Sequence, residues 1–152
     1  MKRILQISAL LLIATMFNAC KKQCQNIAQK NAVGQYKFEK VVRHYDLLKT
    51  ENRTGDYNNM ILQLNDKNQA ALIDQNNNIT YTGKYEIYTD YYGNDDDGNS
   101  NVNYTIIIDL KGNGRGESDY YLYGENANIG RNKLYFWVRR GDGRYKFKLD
   151  KI

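Results

Sequence analysis

The chain has 152 residues, with 22 Lys and Arg against 17 Asp and Glu and a net charge of +5. That length fits one domain, large enough to bury a core without disulfide or metal staples, and two cysteines four positions apart are no disulfide framework. The surplus charge is small and well mixed with acids, which argues against nucleic acid as a partner.

The first residues read as a secretory leader. Lys2 and Arg3 precede an apolar run from Ile4 to about Phe17, followed by small and polar residues: a positive start, a short apolar middle and a processing site. The run is too short to span a bilayer comfortably, since a spanning helix takes roughly 20 apolar residues. Phe17-Asn18-Ala19-Cys20 resembles the lipobox of bacterial lipoproteins, with Phe17 where that family usually places Leu. The resemblance implies cleavage before Cys20 and a palmitate-type lipid anchor on that cysteine. The mature chain would then have 152 − 19 = 133 residues and, without Lys2 and Arg3, a net charge of +3. Cys24 is left alone. The expected organisation is a leader over 1–19, a lipidated cysteine and polar tether over 20–33 with one helical turn around Ile27–Lys30, and a globular domain over 34–152.

Within that domain the pattern is alternation. A first strand, about Tyr36–Tyr45, sets Tyr36, Phe38 and Val42 on one face against Lys37, Glu39 and Arg43, with Lys40 and His44 in the apolar phase. Leu47–Asn58 is a polar connection. A second strand, Asn59–Asn65, aligns Met60, Leu62 and Leu64, and a third covers Gln69–Asp74 between Asn-rich turns. A fourth, Ile79–Thr89, aligns Ile79, Tyr81, Tyr85 and Ile87, with Gly83 marking a bend or bulge. After a polar loop at Tyr91–Asn101, a fifth strand, Asn103–Leu110, aligns Tyr104, Ile106, Ile108 and Leu110. A sixth, Glu117–Tyr123, has tyrosines in both phases, so its facing stays open, and Gly124–Gly130 follows as a loop. The seventh, Lys133–Arg139, aligns Leu134, Phe136 and Val138. Gly141-Asp142-Gly143 turns the chain into the eighth, Arg144–Ile152, which aligns Tyr145, Phe147 and Leu149.

Eight alternating segments with short turns and no convincing helix argue an all-β, antiparallel domain. Closure removes exposed sheet edges, and eight strands make a barrel that just fills with side chains or holds one small ligand. An up-and-down meander barrel is the first expectation and a two-sheet sandwich the second. Gly34-Gln35-Tyr36 resembles the Gly-x-Trp signature of lipocalins, with Tyr for Trp. The layout over Gly34–Ile152 is similar to the lipocalin-like lipoproteins common in Bacteroidota. The resemblance implies an arginine packed over Tyr36 near the end of the barrel, for which Arg139, Arg140 or Arg144 could serve. Lys21-Lys22-Gln23 stands where surface-exported lipoproteins of that phylum carry acids, which points to the outer membrane, facing the periplasm.

The candidate chemistry is thin. Asp95-Asp96-Asp97-Gly98 puts two ligands and the glycine of a calcium loop in place, but Gly93 stands at the first ligand and Tyr104 at the twelfth. A solvated hairpin tip is the better reading. Gly112-Asn113-Gly114-Arg115-Gly116 precedes a strand, not the helix N-terminus that a phosphate cradle needs. Arg140-Gly141-Asp142 is explained by turn geometry. His44 is the sole histidine, and no serine sits in an elbow-like context, so no catalytic relay is assembled. Neither cofactor nor metal is expected. The 14 tyrosines and the Asn-x-Ser/Thr triplets at Asn52, Asn78 and Asn103 are what AT-rich coding produces and carry no message by themselves.

The constellation that remains is a pocket lining of Tyr36, Phe38, Lys40, His44, Tyr85 and Tyr104. An unbulged first strand points Lys40 and His44 into the barrel, where a few polar groups orient a ligand; a bulge near Lys40 turns one or both outward. The first functional expectation is a non-enzymatic envelope module binding a small apolar or amphipathic ligand. The alternative is an interaction or inhibitor lipoprotein whose barrel is packed and whose tyrosine-bearing surface meets another envelope protein. Interior volume separates them.

Overall fold

The computed structural model describes residues 22–45, 48–91, 102–112 and 119–152. The leader with Cys20, the acidic run Asp95–Asp97 and the glycines Gly114 and Gly116 lie outside them. Residues 22–32 form a helix, α1, and nine strands follow: β1 (Gly34–His44), β2 (Thr50–Asn52), β3 (Met60–Leu64), β4 (Gln69–Asp74), β5 (Ile79–Tyr91), β6 (Val102–Lys111), β7 (Tyr120–Ile129), β8 (Lys133–Arg140) and β9 (Gly143–Lys151). Each main strand pairs antiparallel with the next, and β1 pairs with β9 to close an eight-stranded up-and-down barrel. β2 is the extra strand. β3 covers β1 only over Gly34–Lys37, and β2 takes the same edge at Val42–His44. The polar connection expected over Leu47–Asn58 therefore holds a short strand and a 3-10 turn, Thr54–Tyr57, whose Tyr57 is buried.

The alternation in the sequence is the alternation in the wall. Leu62 and Leu64, Tyr85 and Ile87, Ile106, Ile108 and Leu110, then Leu134, Phe136 and Val138, and Tyr145, Phe147 and Leu149 all face the interior. Period-2 patterning fixes facing wherever one side of a strand is dry. The open question in β7 is resolved by its neighbours: Leu122, Gly124, Ala127 and Ile129 are buried, and Tyr121 and Tyr123 are outside.

Two bulges interrupt this period, and each corrects an expectation. In β1 the pairing with β9 slips between Phe38 and Lys40. Beyond it the inward residue is Val41, not Val42, and Lys40 is exposed. In β7 the pairing with β8 slips between Glu125 and Asn128, with Asn126 at φ 49. The segment expected as a loop at Gly124–Gly130 is strand as far as Ile129, because one extra residue is extruded instead of the ladder ending. The same extra residue of β7 shifts its pairing with β6, between Tyr104 and Ile106. Gly83, by contrast, carries no shift: Ala70, Gly83 and Leu110 stay in register. The glycine is needed for closeness, since a Cβ there would lie 1.9 Å from the Asp109 carbonyl oxygen.

Asparagine does the turning in this proline-free chain. Asn59, Asn68 and Asn78 join Asn126 in the left-handed region, which asparagine tolerates better than other side chains. Buried Asp74 closes the β4–β5 turn by accepting from the Asn76 and Asn77 amides at 3.0 and 3.2 Å and from Asn77 Nδ2 at 2.7 Å.

Gly83→Ala should therefore cost at least about 2 kcal/mol, because the backbone it meets must move; Phe147→Ala should cost about 3–5 kcal/mol by emptying the ring cluster. Urea unfolding monitored by far-ultraviolet dichroism measures both, with the midpoint falling and the slope unchanged.

Candidate functional site

Tyr36 begins the interior. Burial with Tyr85 nearby pushes its phenol up to about 12, and it is fully inaccessible. Its hydroxyl donates to the Ala32 carbonyl at 2.9 Å and lies 3.2 Å from that of Asn31. Those are last-turn carbonyls of α1, which have no partner within the helix. The same end receives Lys151, whose Nζ donates to Asn31 O at 3.0 Å and sits 5.6 Å from the Tyr36 ring centre. Tyr36 and Lys151 are register partners. Gly34 lets the lysine pass, for a Cβ there would meet Lys151 Cε at 2.1 Å. The arginine expected over Tyr36 is therefore a lysine. Arg140 belongs to the opposite end, and Arg139 and Arg144 face outward beside Glu125.

α1 closes the end at Tyr36. Where a tether with a single helical turn was expected, the helix buries Ala28 and Ala32 and donates from Gln25 Nε2 to Ile87 O at 2.7 Å. Tyr104 packs against the core, its hydroxyl 3.5 Å from Cys24 O. Tyr85 anchors the next turn by donating to Asn65 O at 2.8 Å.

The other end is closed by rings. Tyr57, from the 3-10 turn, lies 5.0 Å from Phe38 and 5.3 Å edge-on from Phe147, and Phe147 stacks on Phe136 at 5.2 Å. Arg140 lies over Tyr145 at 5.0 Å and Tyr120 at 5.8 Å. Burial pushes the Tyr120 phenol well above its ordinary value. Such cation–ring contacts gain strength when desolvated.

The predicted lining is thus split. Tyr36, Phe38 and Tyr85 are inside and consumed by packing, and Tyr104 is wedged under α1. Lys40 and His44 are outside: the bulge turns both, and His44 packs on Trp137 at 5.0 Å. Concavities among the described residues border the wall. One, of about 720 Å³, runs along β1, β3, β4 and β5, past Gln35, Gln63, Ala71 and Thr82. A smaller one of about 210 Å³ lies beside Tyr57, Met60 and Gln75. Neither draws a residue from β6 to β9. Among the described residues no cluster of His, Cys, Asp and Glu could hold a metal.

What the barrel presents outward on β5, β6 and β7 is aromatic. Tyr88, Tyr121 and Tyr123 are exposed, and Ile107 lies between them as register partner of Tyr123. Tyr88 is held by Glu86, a bond that raises its phenol, with a further contribution from nearby Tyr121. Comparison of the chain with protein-family models, with curated proteins and with solved structures found no match.

Two residues of this site were not placed by the sequence: Lys151, which was passed over, and Arg140, which was offered only as one of three arginines for the position over Tyr36. Both continue an inward phase, Lys151 after Tyr145, Phe147 and Leu149, and Arg140 after Leu134, Phe136 and Val138. Their charge hid them.

Tyr36→Phe should lower stability by about 1–2 kcal/mol, since it strands the buried Ala32 carbonyl of α1, and should speed amide exchange in 28–33. The pH dependence has a definite sign. A phenol raised in the folded state favours folding fully below the ordinary value of about 10 and loses that contribution as pH rises through about 12. Thermal melts across that window should fall less steeply in Tyr36→Phe than in the parent.

Proposed function

We propose that this chain is a cell-envelope lipoprotein, held on lipid through Cys20 and facing the periplasm from the outer membrane. Its packed barrel serves as a non-enzymatic interaction module for another envelope protein. The observation that carries the reading is the filled interior: Tyr36, Tyr85, Phe136 and Phe147 are fully buried, and both ends are plugged. An eight-stranded barrel has room for side chains or for a ligand, and here aromatic rings take the room. The exposed Tyr88, Tyr121 and Tyr123 supply the kind of surface that carries binding energy at protein interfaces. The anchor rests on the leader pattern from Lys2 to Cys20, and no helix among the described residues is long and apolar enough to cross a membrane.

A small amphipathic ligand is the second reading, and the groove beside Gln35, Gln63, Ala71 and Thr82 is what favours it. Such a ligand would lie against the wall, not within it.

Intact mass of the protein recovered from membranes tests the anchor. The wild type should carry a diacylglyceryl group and an acyl chain, and Cys20→Ala neither; an unmodified wild type removes the anchor. A photo-crosslinking residue at position 121 or 123 should give one discrete protein adduct in cells, and the same label at Gln63 none. Tyr121→Ser with Tyr123→Ser should weaken that partner by about tenfold or more per residue while leaving the melting temperature in place. A small molecule retained by the purified protein and lost on substituting Gln63 would instead select the groove.

A further inference from the structure

We propose that the outer face of β8, β9 and β1 docks on an anionic lipid surface, laying the barrel on its side. The register sets three cross-strand rows there: Arg139, Arg144 and His44; Trp137, Lys146 and Val42; Tyr135, Lys148 and Lys40. A fourth row places Lys133 and Lys37 on either side of Asp150. Like charges directly opposite one another destabilise a sheet, yet Arg139 faces Arg144 and Lys148 faces Lys40. A local rule broken with only partial compensation within the fold points to a surface kept for another use.

The carboxylates nearby are too few to neutralise it. Glu125 is shared by Arg139 and Arg144 at 3.4 and 3.7 Å, Glu39 pairs with Lys148 at 2.5 Å, and Asp150 with Lys133 at 3.6 Å. Lys40 and Lys146 have no ion pair among the described residues. Seven cations against three carboxylates leave a surplus of four on this one face, where the mature chain would carry +3 in all. The rest of the surface is therefore close to neutral.

The aromatic residues sit within the charge. Trp137 is half-buried beneath Arg144, at 4.6 Å, and Lys146, at 5.4 Å, and Lys148 lies 5.9 Å from Tyr135. Lysine and arginine around Trp and Tyr is the composition that suits a lipid headgroup layer, where amphipathic rings settle and basic side chains meet phosphate. Strand order places β5 opposite β9 and β6 opposite β1, so docking by the basic face leaves Tyr88 of β5 toward solvent, with Tyr121 and Tyr123 of β7 at the margin of the contact. The proposal rests on the charge and aromatic pattern of this face, not on the position of the anchor.

Trp137 is the sole tryptophan of the chain, so its emission reports this face alone. The full-length protein is mixed with neutral phosphatidylcholine vesicles and with vesicles also containing phosphatidylglycerol, each carrying brominated acyl chains. Trp137 should be quenched and blue-shifted on the anionic vesicles only, and high salt should reverse both changes. Lys40→Glu, which leaves Trp137 and its neighbours intact, should weaken the response about fivefold or more, and Arg139→Glu with Lys146→Glu should abolish it. Thermal melts of each variant identify a folding failure, and Lys40→Glu keeps the test sharp if the double variant unfolds. Equal emission on the two vesicles, or a response indifferent to salt, overturns the proposal. So does protection of Trp137 by an acidic polypeptide but not by vesicles, which would assign the face to an acidic protein. Flotation with the neutral vesicles reads the anchor separately: its absence defeats the anchor and leaves the charge-dependent response of Trp137 to decide the face.

Discussion

Closure between β1 and β9 is the constraint on which the molecule depends, and its decisive feature is one extra residue. Up to Phe38 the two strands run in simple register, and from Lys40 onward they run one position apart. Without that slip Lys40, Val42 and His44 would face a core made of Phe147, Tyr57 and Phe136, and two cationic or polar heads would be buried without partners. Burying such groups costs several kcal/mol each. With it, Val41 goes in, Lys40 and His44 go out, and Glu39 at the bulge reaches Lys148. The same slip lies where β3 has left β1 and before β2 joins it, so the bend and the change of edge partner coincide.

The closed ring then has two ends to seal, and it uses the same device at both. Each end receives a cation from the last inward position of a strand, Lys151 from β9 and Arg140 from β8, set against tyrosine rings. The long stems cover the rings while the heads reach polar groups at the rim, Asn31 O for Lys151 and the Tyr120 hydroxyl for Arg140. α1 completes one seal with backbone carbonyls and two alanines, and the 3-10 turn completes the other with Tyr57. An interior filled this way is stabilised by ring contacts and leaves little volume for anything else.

Most of the wall was legible because alternation is a strong code where one face is dry. Leu134, Phe136 and Val138, and Tyr145, Phe147 and Leu149, face inward as their spacing predicts. The bulges were not legible, because an extruded residue leaves the composition of a strand unchanged: Lys40 in an apolar phase was the only trace of the first, and Asn126 between apolar positions the only trace of the second. α1 hid for a different reason. Its contact with the barrel is made by Ala28 and Ala32, side chains too small to write an amphipathic pattern, and by Gln25 and main-chain carbonyls. The expected pocket lining divides at Lys40 and His44, because the bulge in β1 reverses the facing that phase alone assigns.

The division of the outer surface follows from the same geometry. On the proposed reading the barrel recognises its neighbours through its wall, and strand order determines which parts of the wall lie side by side. β5 to β7 carry phenol rings with few cations, and β8, β9 and β1 carry cations around one indole. These compositions suit different neighbours: rings that bury area at little entropic cost suit a protein, and a basic layer beside a bilayer suits phosphate headgroups. The two walls adjoin at the β7–β8 pairing, where Tyr123 stands next to the row that begins with Arg139, and their centres on β6 and β9 lie three strands apart in a ring of eight, so the phenol and cation surfaces turn toward different sides of the barrel without being opposed.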